Sequence, residues 1–135
     1  MNKEILRIII EIIRRILILQ QMKTIQELKK RRSDKEAMKR LIEIICEQEG
    51  VDKRLGLAVA LCESGLNPDA VNVNPDGSID RGLFQWNDLW HPEVSDEEAF
   101  DPEKATRLFC KAVKQGHLNW WKSSKHCWEK YLKEA

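Results

Sequence analysis

From residue 3 to residue 32 the chain has no Gly or Pro and repeats apolar residues at helical spacing. Ile5, Ile9, Ile12, Ile16 and Leu19 follow alternating steps of four and three, a heptad seam on one helix face. Isoleucine at both seam positions favours trimers over dimers. Ile8, Ile10, Ile13 and Ile18 widen the apolar side, while Glu4, Arg7, Glu11, Arg14 and Arg15 confine the polar side to a narrow stripe. Three roles suit such an amphipathic helix: self-association, ranked first, then packing against its own domain, then lying in a membrane interface. Charges interrupt the stretch from Ile5 to Leu19, so no membrane span is expected, and no small-residue cleavage site marks it as a signal peptide.

The pattern after residue 32 is that of shorter elements. Ser33 with Glu36 has capping-box spacing and predicts a helix carrying Met38, Leu41, Ile42, Ile45 and Cys46 on one face, ending near Gly50. Asp52 caps the next expected helix, whose Leu55, Leu57, Ala58, Val59, Leu61 and Cys62 make it apolar nearly all round and hence central and buried. That helix reaches Glu63 and stops at Ser64-Gly65 and Asn67-Pro68. Between residues 70 and 87, Val71, Val73, Ile79 and Leu83 alternate with polar residues around the turn cluster Asn74-Pro75-Asp76-Gly77-Ser78, which predicts an antiparallel hairpin or three-stranded sheet. Asp101-Pro102 opens a further helix that ends at Gln115-Gly116, and His117 to Leu132 reads as helical. The expected organisation is a helical arm over residues 1–35 and one α+β, mostly α, domain over residues 36–135.

Charge sharpens that division. Of 135 residues, the first 40 hold twelve Lys or Arg and five Asp or Glu, whereas the remaining 95 hold eleven and seventeen. A basic arm on a mildly acidic domain suits either a solvated helix or peripheral attraction to anionic polymers or lipid. No nucleic-acid partner is expected. The four cysteines, Cys46, Cys62, Cys110 and Cys127, lack metal-ligand spacing, so no metal is assigned, and the even count allows two disulfides in any of three pairings.

Two carboxylates carry candidate chemistry. Glu63 closes an apolar helix, a setting that disfavours its charged form and lets a glutamic acid donate a proton near neutral pH. Asp80 lies seventeen residues later among Asn72, Asn74, Ser78 and Asn87, which can hydrogen-bond a carboxylate and keep it ionised. One carboxyl in apolar and one in polar surroundings separates an acid from a base or nucleophile.

The segment from Glu63 to Asn87 resembles, without a gap, the active-site segment of c-type lysozymes. The matching positions include Glu63-Ser64, Asn67, Ala70, Asn72, Asn74, Asp76-Gly77-Ser78, Asp80, Gly82, Gln85 and Asn87. Glu63-Ser64-Gly65 and Gly82-Leu83-Phe84-Gln85 also resemble the lytic transglycosylase motif, and Cys62 before Glu-Ser-Gly resembles the resuscitation-promoting factor domains. Weaker similarity continues through Trp90 and Cys110 to Trp120, Trp121 and Cys127. The resemblance implies a lysozyme-like fold and a retaining muramidase acting on peptidoglycan, with Glu63 as general acid and Asp80 as second carboxylate. Asn74, Gln85 and Asn87 would orient Asp80 and the sugar, Trp90 would stack on a sugar face, and Trp120 or Trp121 would form the apolar wall beside Glu63. Within the resemblance the expected disulfides are Cys62–Cys127 and Cys46–Cys110. His91 stands where the family commonly has a Trp, and Thr106 and Arg107 stand where calcium-binding relatives have acids. No cofactor is implied. The implied setting is secreted, cell-envelope or virion-associated. A lytic transglycosylase using Glu63 alone, and a non-catalytic sugar-binding or structural module oligomerising through residues 3–32, are the alternatives.

Overall fold

The computed structural model describes residues 1–134. The architecture is α+β and mostly helical, as expected: α1 (Lys3–Lys29), α2 (Lys35–Glu49), α3 (Lys53–Ser64), β1 (Val71–Val73), β2 (Ile79–Arg81), β3 (Trp86–Asn87), α4 (Asp96–Phe100), α5 (Pro102–Lys114), a 3-10 segment (Leu118–Ser124) and α6 (Lys125–Glu134). Among the described residues no helix is long and apolar enough to cross a membrane.

Helix α1 stops at Lys29, three residues short of its expected end. The chain leaves it through turns in which the Arg31 N–H donates to Leu28 O and the Asp34 N–H to Arg31 O. The expected cap of α2, Ser33, is replaced by Asp34, whose carboxylate accepts from the N–H groups of Glu36 and Ala37. Both residue types cap well. Arg31 also donates to the Asp34 carboxylate and holds that carboxyl below its usual range.

The core lies between α2, α3 and α5. Met38, Leu41, Ile42 and Ile45 of α2 and Ala105, Phe109 and Cys110 of α5 are buried there. Helix α3 presses close to α2 at Gly56, where an added Cβ would come within 2.6 Å of Cys46 Sγ. Helix α3 is not buried all round as its composition predicts. Gly56, Ala58, Val59 and Ala60 face the core, while Leu57 and Leu61 line a surface groove with Leu66 and Tyr131. A short helix can be more apolar than its position requires.

The arm divides in two. Ile25 is 1% exposed and Leu28 is also buried, so the last turns of α1 join the core. Gln48 donates to Gln21 at 2.9 Å, and Lys29 Nζ sits 2.9 Å from Asp101 and 3.4 Å from Glu103. Burial works against the Lys29 charge, but the two carboxylates outweigh it and raise its pKa. Burial likewise pushes the Asp101 carboxyl up, yet hydrogen bonds from the Lys104 N–H and Lys29 hold it below its usual value. Arg32 is also spent on the domain, donating to Phe100 O at 2.9 Å and pairing with Asp69. Much of the basic run at residues 29–32 is therefore structural. By contrast, large apolar residues from Ile5 to Met22 lie open to solvent.

Asp101 both caps α5 and anchors the arm, so Asp101→Ala is expected to cost about 1–3 kcal/mol in urea unfolding at neutral pH. Its folded pKa lies below the unfolded one, so this contribution is present at neutral pH. The difference between wild type and variant should shrink once pH falls below about 4 and vanish below the folded value.

The three strands form one antiparallel sheet in the order β1-β2-β3. Its register places Asn72, Asp80 and Asn87 in one row across the strands. Successive strand residues face opposite sides, so this polar row and Asn74 share one face while Val71 and Val73 lie exposed on the other. Pattern reading missed α4, although Ser95 and Glu98 form a complete capping box at its start. The expected C-terminal helix is instead a 3-10 segment followed by α6, and the 3-10 segment is kinked at Trp121, whose φ of −105° and ψ of 23° are not helical.

Candidate active site

A cleft of ≈ 660 Å³ opens between the end of α3, the sheet and the 3-10 segment, and both candidate carboxylates line it. Glu63 occupies the last turn of α3. The αL backbone of Gly65 ends that helix, and Ser64 Oγ donates to Leu83 O at 2.8 Å, fastening the acid's helix to the loop after β2. Burial pushes the Glu63 carboxyl above its usual range. The negative charge of Asp80 adds to that rise, and a hydrogen bond with Ser124 opposes it. The result is a carboxyl biased toward its protonated form.

Asp80 sits in the middle strand in a different environment. Asn87 Nδ2 donates to Asp80 Oδ1 at 2.9 Å and Asn74 Nδ2 to Asp80 Oδ2 at 3.1 Å. Each carboxylate oxygen thus has an amide donor. The amides are fixed in turn by Ser78, whose Oγ accepts from Asn87 and Asn74 and donates to Asp76. Asn87 Oδ1 accepts from the N–H groups of Leu89 and Trp90, linking the carboxylate to the cleft rim.

Gln85 lines the cleft, but its amide does not reach Asp80. It donates to Ala70 O and Gly82 O and accepts from Asn72, bracing its own loop, where its φ is +55°. Trp90 projects from the rim, 75% exposed. Trp120 is 44% exposed and lies between two histidines, His91 at 4.6 Å and a parallel His117 at 4.3 Å between ring centroids. Trp121 faces inward, 4% exposed, with its indole N–H on Phe84 O and its ring edge-on to Trp86 and Phe109. Of the two candidate Trp residues lining the cleft, Trp121 is buried and Trp120 is open to it.

The structure adds cleft residues that pattern reading did not single out: Trp86, Glu93, Asn119, Lys122 and Ser123. No periodic signal marks the last three, which reach the cleft only through the 3-10 turn. Arg81, next to Asp80, is also new. It is 3% exposed and holds the following loop to the sheet, donating to Trp86 O, Val94 O and Asp96.

Cys62 and Cys127 form a disulfide, tying the residue before Glu63 to α6. The expected Cys46–Cys110 bond is a correction: both are free thiols in the core, Sγ to Sγ 3.8 Å. They face each other from α2 and α5 at hydrogen-bonding rather than bonding distance. Hydrogen bonding to Cys110 and burial hold the Cys46 thiol protonated, well above its usual pKa. The Cys62–Cys127 link spans 65 residues. Chain-entropy arguments put its loss at up to about 4 kcal/mol. The Cys62→Ser/Cys127→Ser variant is therefore expected to melt well below wild type, with its activity falling before its helicity on heating. Among the described residues, no three or more His, Cys, Asp or Glu side chains gather as a metal-binding set.

A family model described as a lysozyme-like domain matches residues 46–124, which span α3, the sheet, α4, α5 and the 3-10 segment. No curated protein and no solved structure matches the chain.

Proposed function

Because the chain belongs to the lysozyme-like domain family through residues 46–124, we propose that it cleaves the glycan strands of bacterial peptidoglycan by hydrolysis, with Glu63 as proton donor and Asp80 as the second carboxylate. The observation that carries this reading is the contrast within one cleft: Glu63 driven toward its neutral form by burial, and Asp80 held by an amide on each oxygen. Lysozyme is the type case of this division of labour.

A glycosidic oxygen is a poor leaving group until it is protonated. Neutral Glu63 supplies that proton as the bond to the anomeric carbon breaks. Positive charge then develops on the sugar ring, and the Asp80 carboxylate, fixed by Asn74 and Asn87, meets it as nucleophile or as counter-ion. Glu63, now ionised, takes a proton from the water that completes hydrolysis. Trp90 and Trp120 offer flat apolar faces to the sugar rings, and Trp121 keeps the acid's surroundings apolar. Such a substrate places the protein's work in the cell envelope or outside the cell.

Asp80→Asn keeps the side-chain shape and removes the charge. On labelled peptidoglycan it is expected to lower solubilisation by about 10²-fold or more. An unchanged rate would shift the reading to a lytic transglycosylase that works with Glu63 alone. No solubilisation by the wild type would shift it to a binding module.

A further inference from the structure

We propose that α1 assembles three or more copies of this chain into a helical hub that carries the catalytic domains on its outside. The register of the arm carries the argument. Besides the Ile5-to-Leu19 seam, Leu6, Ile10, Ile13 and Leu17 form a second line of alternating four- and three-residue steps. At about 100° per residue the two seams point about 110° apart around the helix. One helix with two apolar seams at that angle meets two neighbours, which a dimer cannot provide.

The third face of α1 is already used. Arg7, Arg14, Gln21 and Leu28 follow one another at seven-residue spacing. The first two are solvated, while the last two touch the domain, through Gln48 and the core. Gln21, Ile25 and Leu28, which meet the domain, point about 170° from the first seam and about 60° from the second, so the domain sits beside the polar stripe and covers neither seam. All nine seam side chains are left open to solvent, so both seams are free to meet other arms.

The area is sufficient. Large apolar side chains from Ile5 to Met22 are 38–64% exposed. The nine side chains of the two seams together offer roughly 900 Å² per chain, shared between two neighbours, which exceeds the ~300–600 Å² of the usual largest apolar patch on a monomer. A second copy fits this surface better than a lipid bilayer does. Residues 3–29 include no aromatic side chain, whereas interfacial helices place Trp or Phe at the boundary. Arg14 and Arg15 are both engaged by Glu11, which blunts the attraction to anionic headgroups. Assembly would place several clefts on one polymer at once and raise avidity without new contacts.

The test is the solution mass of the full chain by light scattering and sedimentation, without lipid. Wild type is expected at three or more chain masses, Leu17→Asp at two, and Ile9→Asp/Leu17→Asp at one, with tryptophan fluorescence of the domain unchanged. Ile18→Asp carries the same charge outside both seams and is expected to keep the wild-type mass. A monomeric wild type overturns the proposal, including one that floats with phosphatidylglycerol vesicles. So does an unchanged mass for Leu17→Asp, or disassembly by Ile18→Asp. Peptidoglycan turnover by the monomeric variant reports separately on the catalytic reading.

Discussion

Glu63→Gln is expected to lower peptidoglycan cleavage by about 10²–10⁴-fold, the usual worth of a positioned general acid. The substitution keeps the volume and the reach to Ser124 but leaves no transferable proton. It should also change how stability depends on pH. The folded pKa of Glu63 is raised, so the folded chain binds that proton more tightly than the unfolded chain does. Its stabilising contribution is fully present below the ordinary glutamate pKa of about 4.3. It is lost as pH rises through the folded value. The Gln variant has no charge to bury and should be at least as stable as wild type at neutral pH. Paired measurements of solubilisation rate and thermal unfolding at acid and neutral pH check both parts. A variant that is inactive because it has unfolded would not satisfy this expectation.

The second large effect is on stability. Gly82 follows β2, two residues after Asp80, and its backbone has a φ of +79°. Its N–H donates to Ala70 O at 2.8 Å and its carbonyl accepts from Gln85. A Cβ there would lie 2.0 Å from Ala99 O, a backbone atom of α4. No rotamer change relieves such a clash, so either the strand end or α4 must move. Gly82→Ala is expected to cost more than about 3 kcal/mol, combining a left-handed backbone with forced displacement. Gly77 provides the control. Its φ is +85°, but an added Cβ meets nothing within 4 Å. Gly77→Ala should therefore cost only the conformational part, about 1–2 kcal/mol. Urea unfolding of the two variants separates these contributions, and equal losses would contradict the steric argument. Surviving folded Gly82→Ala protein should also lose activity, because displacing this loop disturbs the strand that carries Asp80.

What could be read from residue order alone follows from how local each signal is. Helices α2, α3 and α5 were legible because they end in αL glycine or begin on aspartate, at Gly50, Gly65, Asp52 and Asp101. The turn cluster at Asn74–Ser78 announced the sheet, and the resemblance over residues 63–87 located the two carboxylates. Three kinds of information were absent. Asp34 rather than Ser33 caps α2, with its carboxylate also accepting from Arg31, a pairing that capping-box spacing does not announce. The five residues of α4 bury only Ala99, too little for periodicity to register, although the capping box was there to be seen. Lys122, Asn119 and Ser123 reach the cleft from the 3-10 segment, which is kinked at Trp121, and the Trp121 indole there donates to Phe84 O of a distant loop. Arg81 is the clearest case. A charge in a short strand reads as exposed, but its guanidinium is buried against carbonyls that only the folded loop supplies. The cysteine count likewise allowed a second disulfide, whereas the core leaves Cys46 and Cys110 as thiols.

Whether Glu63 and Asp80 act together as a hydrolytic pair is tested most directly by the masses of the soluble fragments released from purified peptidoglycan. Hydrolysis adds one water across every glycosidic bond that breaks. Wild-type fragments are expected all to carry that added water, and to disappear with Glu63→Gln. Fragments lacking the water, or release that continues undiminished in the Gln variant, would contradict a hydrolytic pair.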